Sequence, residues 1–149
     1  MNVNNVLAPP GARRLVACLM AAAATTAAAG CDSGADRPVT WSYLHAAILR
    51  PSCATASCHS SSGSAGGLDL STPAGAYSIL VGRVCGAPET DADPTGSFVV
   101  PGDPTRSRLM HLLRADRTYV MPPDVPLPPV EINLIQEWIL EGAQCDTAK

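Results

Sequence analysis

The sequence predicts a small all-α domain of about four short helices joined by long loops, and two observations carry that prediction. Apolar residues recur at helical spacing in short stretches, flanked by capping residues or prolines at their starts and by glycine or proline at their ends. Between the stretches, proline and glycine, 14 and 12 in the whole chain, crowd into segments that cannot continue a helix or enter a central strand. A chain of 149 residues has room for one domain. Neither a repeat nor a second domain is visible in it.

Residues 1–30 read as a leader outside that domain. Arg13 and Arg14 precede an uncharged, alanine-rich run from Leu15 to Ala29, the layout of a secretory signal ending in small residues. The run falls short of the about 20 residues expected of a membrane span. With Ala28-Ala29-Gly30-Cys31 at its end, it is similar to a bacterial lipoprotein signal, which implies a lipid on Cys31. Ala28 stands where such signals commonly carry a large aliphatic residue, and ordinary cleavage leaving Cys31 as a free thiol is the alternative. Residues 31–38, small, polar and ended by Pro38, then form a tether to a domain over 39–146.

The helices follow in order. Thr40 is a candidate N-cap for a helix carrying Trp41, Leu44 and Ile48 to about Leu49, with Pro51 as its stop. The serine and glycine run from Ser60 to Gly67 predicts a flexible surface loop. A second helix is expected around Gly75 to Val81, with Pro73 near its start and Tyr77, Leu80 and Val81 inward. Cys85 to Ser97 reads as a loop. Asp103 as N-cap with Pro104 at the first helical position predicts a third helix burying Leu109, Leu112 and Leu113. Met121 to Pro129 holds too many prolines for a helix or a central strand. A last helix from about Pro129 to Glu141 aligns Ile132, Ile135 and Ile139 beside Trp138, and Gly142 is its stop.

Chemistry concentrates in Cys53-Ala54-Thr55-Ala56-Ser57-Cys58-His59, because a thiol followed directly by an imidazole is how c-type haem is held. The cysteines bond to the haem vinyl groups while the histidine ligates the iron. The usual spacing is C-x-x-C-H, and this chain has an expanded version with four residues between the cysteines. Downstream, Val120-Met121-Pro122-Pro123 offers a thioether on a proline-stiffened loop as the opposite axial ligand. Of the six cysteines, Cys18 lies in the leader and Cys31 at its processing point. Cys85 and Cys145 remain, and an oxidising destination permits a disulfide between them, although spacing alone does not fix connectivity.

From about Val39 to Ala143 the chain resembles the class I cytochrome c fold, and in detail the planctomycete-type cytochrome c domains of bacteria. The resemblance rests on the Cys-His motif, on Gly67-Leu68-Asp69-Leu70, on Val100-Pro101-Gly102-Asp103-Pro104, on Met121-Pro122-Pro123, and on Glu131-Ile132 through Trp138-Ile139 with Gly142-Ala143. It implies a small cytochrome c-like fold around one covalent haem c, attached through Cys53 and Cys58, with His59 and Met121 as axial ligands. It further implies an electron carrier rather than an enzyme; the leader and Cys31 point separately to export to the periplasm or cell surface and to a lipid that holds the domain there. Pro128 departs from the family pattern, in which a serine or threonine caps the final helix.

Loss of Arg13 and Arg14 leaves eight basic residues against thirteen acidic ones, a net of −5, which argues against nucleic acid as a partner. Redox partner proteins are expected, and on net charge alone they would be cationic. Other readings stay open at this level. A haem enzyme or sensor would leave the iron open; a binding module would pair Cys53 with Cys58 in a disulfide; a structural zinc site would add Cys85 or His45 to Cys53, Cys58 and His59. Met110 and His111 read as packing or surface, and Arg106, Arg108, Arg114 and Arg117 mostly as the solvated face of one helix.

Overall fold

Four helices, numbered in chain order, surround an aromatic centre in the computed structural model, which describes residues 37–87 and 98–146. The leader, Cys31, most of the tether and the middle of the 85–97 loop lie outside the described residues. Among the described residues there is no strand, and no helix is long and apolar enough to cross a membrane.

Helix α1 opens with an α-helical turn at Trp41–Leu44, passes through a π-helical segment at His45–Leu49 and closes with Arg50–Ser52. Thr40 caps it from extended backbone, its Oγ1 accepting from the Tyr43 N–H at 3.4 Å. The helix therefore outlasts the expected stop at Leu49, and Pro51 sits inside its last turn. The wider π register explains this. The Arg50 N–H donates to the His45 carbonyl five residues back. That relieves the crowding a proline ring imposes on an α-helical ladder.

Helix α2 spans Pro73–Val81, starting where Thr72 Oγ1 accepts from the Gly75 N–H and ending on Gly82 at φ 71°. Its inward face is Ala76, Tyr77, Leu80 and Val81. The Leu80 carbonyl then accepts from the N–H groups of Phe98 and Val99, both at 2.9 Å, which returns the chain to the core.

Helix α3, Arg108–Arg114, begins later than its sequence signals suggest. Asp103 does cap, accepting from the Arg106 N–H at 3.1 Å and the Thr105 hydroxyl at 2.6 Å, but what it caps is a single turn. These bonds hold its carboxyl well below the usual carboxylate range. Ser107, fully buried, breaks the run: its hydroxyl accepts from the Val100 N–H and donates to the Asp103 carbonyl at 2.8 Å. The late start also rotates the buried face. Leu109, Met110 and Leu113 enter the core, while Leu112 turns toward a cavity.

Helix α4, Pro129–Leu140, buries Leu134, Ile135, Trp138 and Ile139, with Ile132 at the margin. No side chain caps its start, as Pro128 foretells. Gly142 follows it at φ 94°, and the Ala143 N–H reaches back to the Trp138 carbonyl. α4 packs on α1: the Trp41 and Trp138 rings stack 5.1 Å apart, with Tyr77 edge-on to Trp41 at 5.5 Å. Each polar handle is satisfied. Trp41 Nε1 donates to the Pro73 carbonyl, Trp138 Nε1 to Gln144 and the Tyr77 hydroxyl to Ala143.

Cys85 and Cys145 are joined in a disulfide, Cα to Cα 5.5 Å, which ties the end of the α2 loop to the tail after α4. Closing a separation of 60 residues limits the unfolded chain. The chain-entropy model puts that at about 4 kcal/mol. Peptide mapping of exported protein without reduction is expected to recover the pair, and reduction is expected to lower the melting temperature. Two alkylatable thiols at these positions in exported protein would reject the pairing.

Candidate functional site

The segment after α1 winds into a double turn that places the two thiols and the imidazole together. The Cys53 N–H still belongs to α1, bonded to the Leu49 carbonyl at 2.8 Å. The Cys53 carbonyl accepts from the His59 N–H at 3.0 Å, and within that loop the Cys58 N–H donates to Thr55 at 3.0 Å. The residues that lengthen the motif are thus taken up by an inner turn.

The Ser60 to Gly67 run is a hydrogen-bonded buckle rather than the flexible loop its composition suggests. The Ser60 and Ser62 hydroxyls both donate to the Ala56 carbonyl, the Ser64 N–H returns to Ser60 at 2.8 Å, and the Ala65 N–H donates to Cys58 at 3.0 Å. Gly63 makes the close approach possible, since a Cβ there would lie 2.5 Å from the Cys58 carbonyl and 2.7 Å from that of Ala56. Serines spaced to bond backbone a turn away were the available signal, and composition alone hid it.

This buckle orients His59. Its Nδ1–H donates to the Ala65 carbonyl at 2.8 Å, which leaves the Nε2 lone pair as the ligating one. Cys53, Cys58 and His59 line a cavity of about 590 Å³ together with Leu68, Phe98 and Leu112. Met121 lines it too, its N–H held by the Leu112 carbonyl at 2.9 Å and its peptide bond to Pro122 cis. The three residues of the motif and Met121, which is far from them in the chain, therefore share one apolar space. The volume falls within the range of small-molecule and cofactor pockets.

Both thiols of the motif are free and half-buried. Burial, followed by the neighbouring Cys58, pushes the Cys53 thiol up to about 11. The zinc reading loses its fourth ligand. Cys85 is spent in the disulfide, and His45 is buried with Nε2 bonded to the Leu70 carbonyl at 3.0 Å. Among the described residues no group of three or more His, Cys, Asp or Glu is placed to hold a metal ion.

Met110 and His111 lie outside the cavity lining. Met110 is core. His111 is held between the Asp116 carboxylate at 2.9 Å and the Thr105 carbonyl at 3.0 Å. Of the arginines, Arg106 pairs with Asp103 and Arg114 with Gln136, but Arg108 departs from a plain solvated face: its guanidinium lies 5.0 Å over the Phe98 ring at the cavity lip.

The donor set fits a c-type haem: two free thiols, an imidazole with its distal nitrogen available, a thioether and an apolar lining. Residues 56–124 match the family model described as Planctomycete cytochrome C, a span that begins after Cys53 and takes in Cys58, His59 and Met121. No curated protein and no solved structure matches the chain.

Proposed function

Because the chain carries a planctomycete-type cytochrome c domain, we propose that it is a monohaem c-type cytochrome relaying single electrons outside the cytoplasm. The observation that supports this most is the meeting of Cys53, Cys58, His59 and Met121 in one apolar cavity. Bound there, the haem supplies a one-electron iron couple.

The chain's own residues do the rest. Cys53 and Cys58 would hold the group through thioethers, and the bond from His59 Nδ1 to the Ala65 carbonyl leaves Nε2 as the nitrogen that would bind iron. Met121, on a loop stiffened by Pro122 and Pro123, would supply a thioether to the same iron. Leu68, Phe98 and Leu112 give the cavity an apolar wall, which would favour the less charged, reduced site. Ligation by both His59 and Met121 would leave substrate no open position, which supports a carrier over an enzyme.

The leader and Cys31 support export and a lipid anchor, with residues 32–38 spacing the domain from the bilayer. A tethered carrier would meet membrane-bound partners at raised effective concentration. Intact mass of protein made in a host competent for haem attachment tests both parts. The expected mass is that of the chain from Cys31 with its acyl chains and one haem that acid acetone does not extract. Colourless protein with Cys53 and Cys58 in a disulfide would sink the haem assignment, and a lipid-free N-terminus would sink the anchor.

A further inference from the structure

The chain is acidic overall, yet the mouth of its cavity is basic. Beside the cavity that holds His59 lies a second one of about 580 Å³, lined by Thr105, Arg106, Arg108, His111 and Arg117, and the two share Arg108, Leu112 and Tyr119 as a common lip. Arg106, Arg108, Arg114 and Arg117 fall between residues 103 and 117, where the only acids are Asp103 and Asp116. Both acids are already engaged. Asp103 Oδ2 pairs with Arg106 at 2.6 Å, and Asp116 pairs with His111 at 2.9 Å. Among the described residues Arg108 and Arg117 have no carboxylate partner; Arg108 rests on Phe98, and Arg117 lies 3.4 Å from His111 Nε2. Tyr119, with 71 % of its surface exposed, offers an aromatic face at the same lip.

Local charge outweighs net charge here because of screening. At physiological ionic strength the Debye length is about 8 Å. A domain of this size has a radius of gyration of about 13 Å. A group docking at the lip therefore senses chiefly the charges within about that length of it.

We propose that this basic mouth, where Arg108 and Arg117 carry the charge that no carboxylate offsets beside the exposed Tyr119, is the docking surface for an acidic face of the redox partner protein. The proposal rests on the haem reading above and reverses the cationic partner that net charge suggests. Guanidinium forks suit carboxylates, and an exposed aromatic beside them is the composition of a transient interface.

The test is stopped-flow oxidation of the reduced holoprotein by hexacyanoferrate(III), an anion that takes one electron from the ferrous haem to become hexacyanoferrate(II). The tris(phenanthroline)cobalt(III) cation serves as the opposite probe, taking one electron to give cobalt(II). From low to high salt the anion's rate is expected to fall by roughly fivefold or more while the cation's rate does not fall. Polyglutamate should slow the anion's reaction at low salt and release it at high salt. The double variant Arg106→Gln, Arg117→Gln, checked for an unchanged haem spectrum, should flatten the anion's salt dependence. An anion rate that rises with salt in the parent, or a variant that matches the parent, overturns the proposal while leaving the haem assignment intact. Protein without haem overturns both.

Discussion

His59→Ala is expected to abolish normal haem ligation, whereas Met121→Ala should leave the haem attached and open the iron on its other side. The asymmetry follows from position. His59 is next to Cys58 in a turn closed by the His59 N–H to Cys53 bond, so attachment and ligation share one short piece of backbone. Met121 comes from a separate loop, tied to α3 through the Leu112 carbonyl. The Met121→Ala protein should therefore stain as a covalent haem protein, bind exogenous ligands such as imidazole or cyanide, and show a lowered potential, since loss of the thioether removes the ligand that favours ferrous iron. Visible spectra and a redox titration decide it. A Met121→Ala spectrum and potential equal to the parent's would return Met121 to the role of a lining side chain.

Trp138→Ala should cost about 3–5 kcal/mol, the range for truncating a buried tryptophan. That is a large share of the roughly 5–15 kcal/mol by which a domain is stable. Trp138 stacks on Trp41, meets Tyr77 at 6.4 Å and donates from Nε1 to the Gln144 carbonyl. The substitution would uncouple α4 from α1 and remove the indole donor that ties the last helix to the turn leading to the disulfide. Trp138→Phe, which keeps a ring but loses the donor, should fall between the two in denaturant melts. An alanine variant within 1 kcal/mol of the parent, on the roughly ±0.5 kcal/mol scale of surface substitutions, would mean that the aromatic stack does not hold the helices together.

Much of the fold was legible because its signals are local. Thr40 and Gly142 act through bonds to residues within a turn of themselves, so reading them in the chain was enough to place the start of α1 and the end of α4. The stripe containing Ile135, Trp138 and Ile139 was equally plain, because one helical face repeats at fixed spacing. The candidate ligands stood out for a chemical reason: few functions want Cys, Cys, His and a proline-flanked Met in that order.

Where the reading erred, the deciding bond was long-range or geometric. Asp103 and Pro104 carry a good helix start, but buried Ser107, bonded back to Val100, deferred α3 and exchanged Met110 for Leu112 in the core. Pro51 reads as a helix stop, yet the π register let α1 carry it. Ser60 to Gly67 is flexible by composition and ordered by its bonds to Ala56 and Cys58. By itself the sequence determined the helix inventory, the Cys-His motif and the candidate axial residues, since each is written within a few neighbouring positions. Only the tertiary structure decided that Met121 reaches the cavity of His59, that Cys85 meets Cys145, and that an acidic chain turns arginines toward its cavity mouth. Those depend on which helix packs against which, and that is settled by the aromatic contacts among α1, α2 and α4 rather than by any one segment.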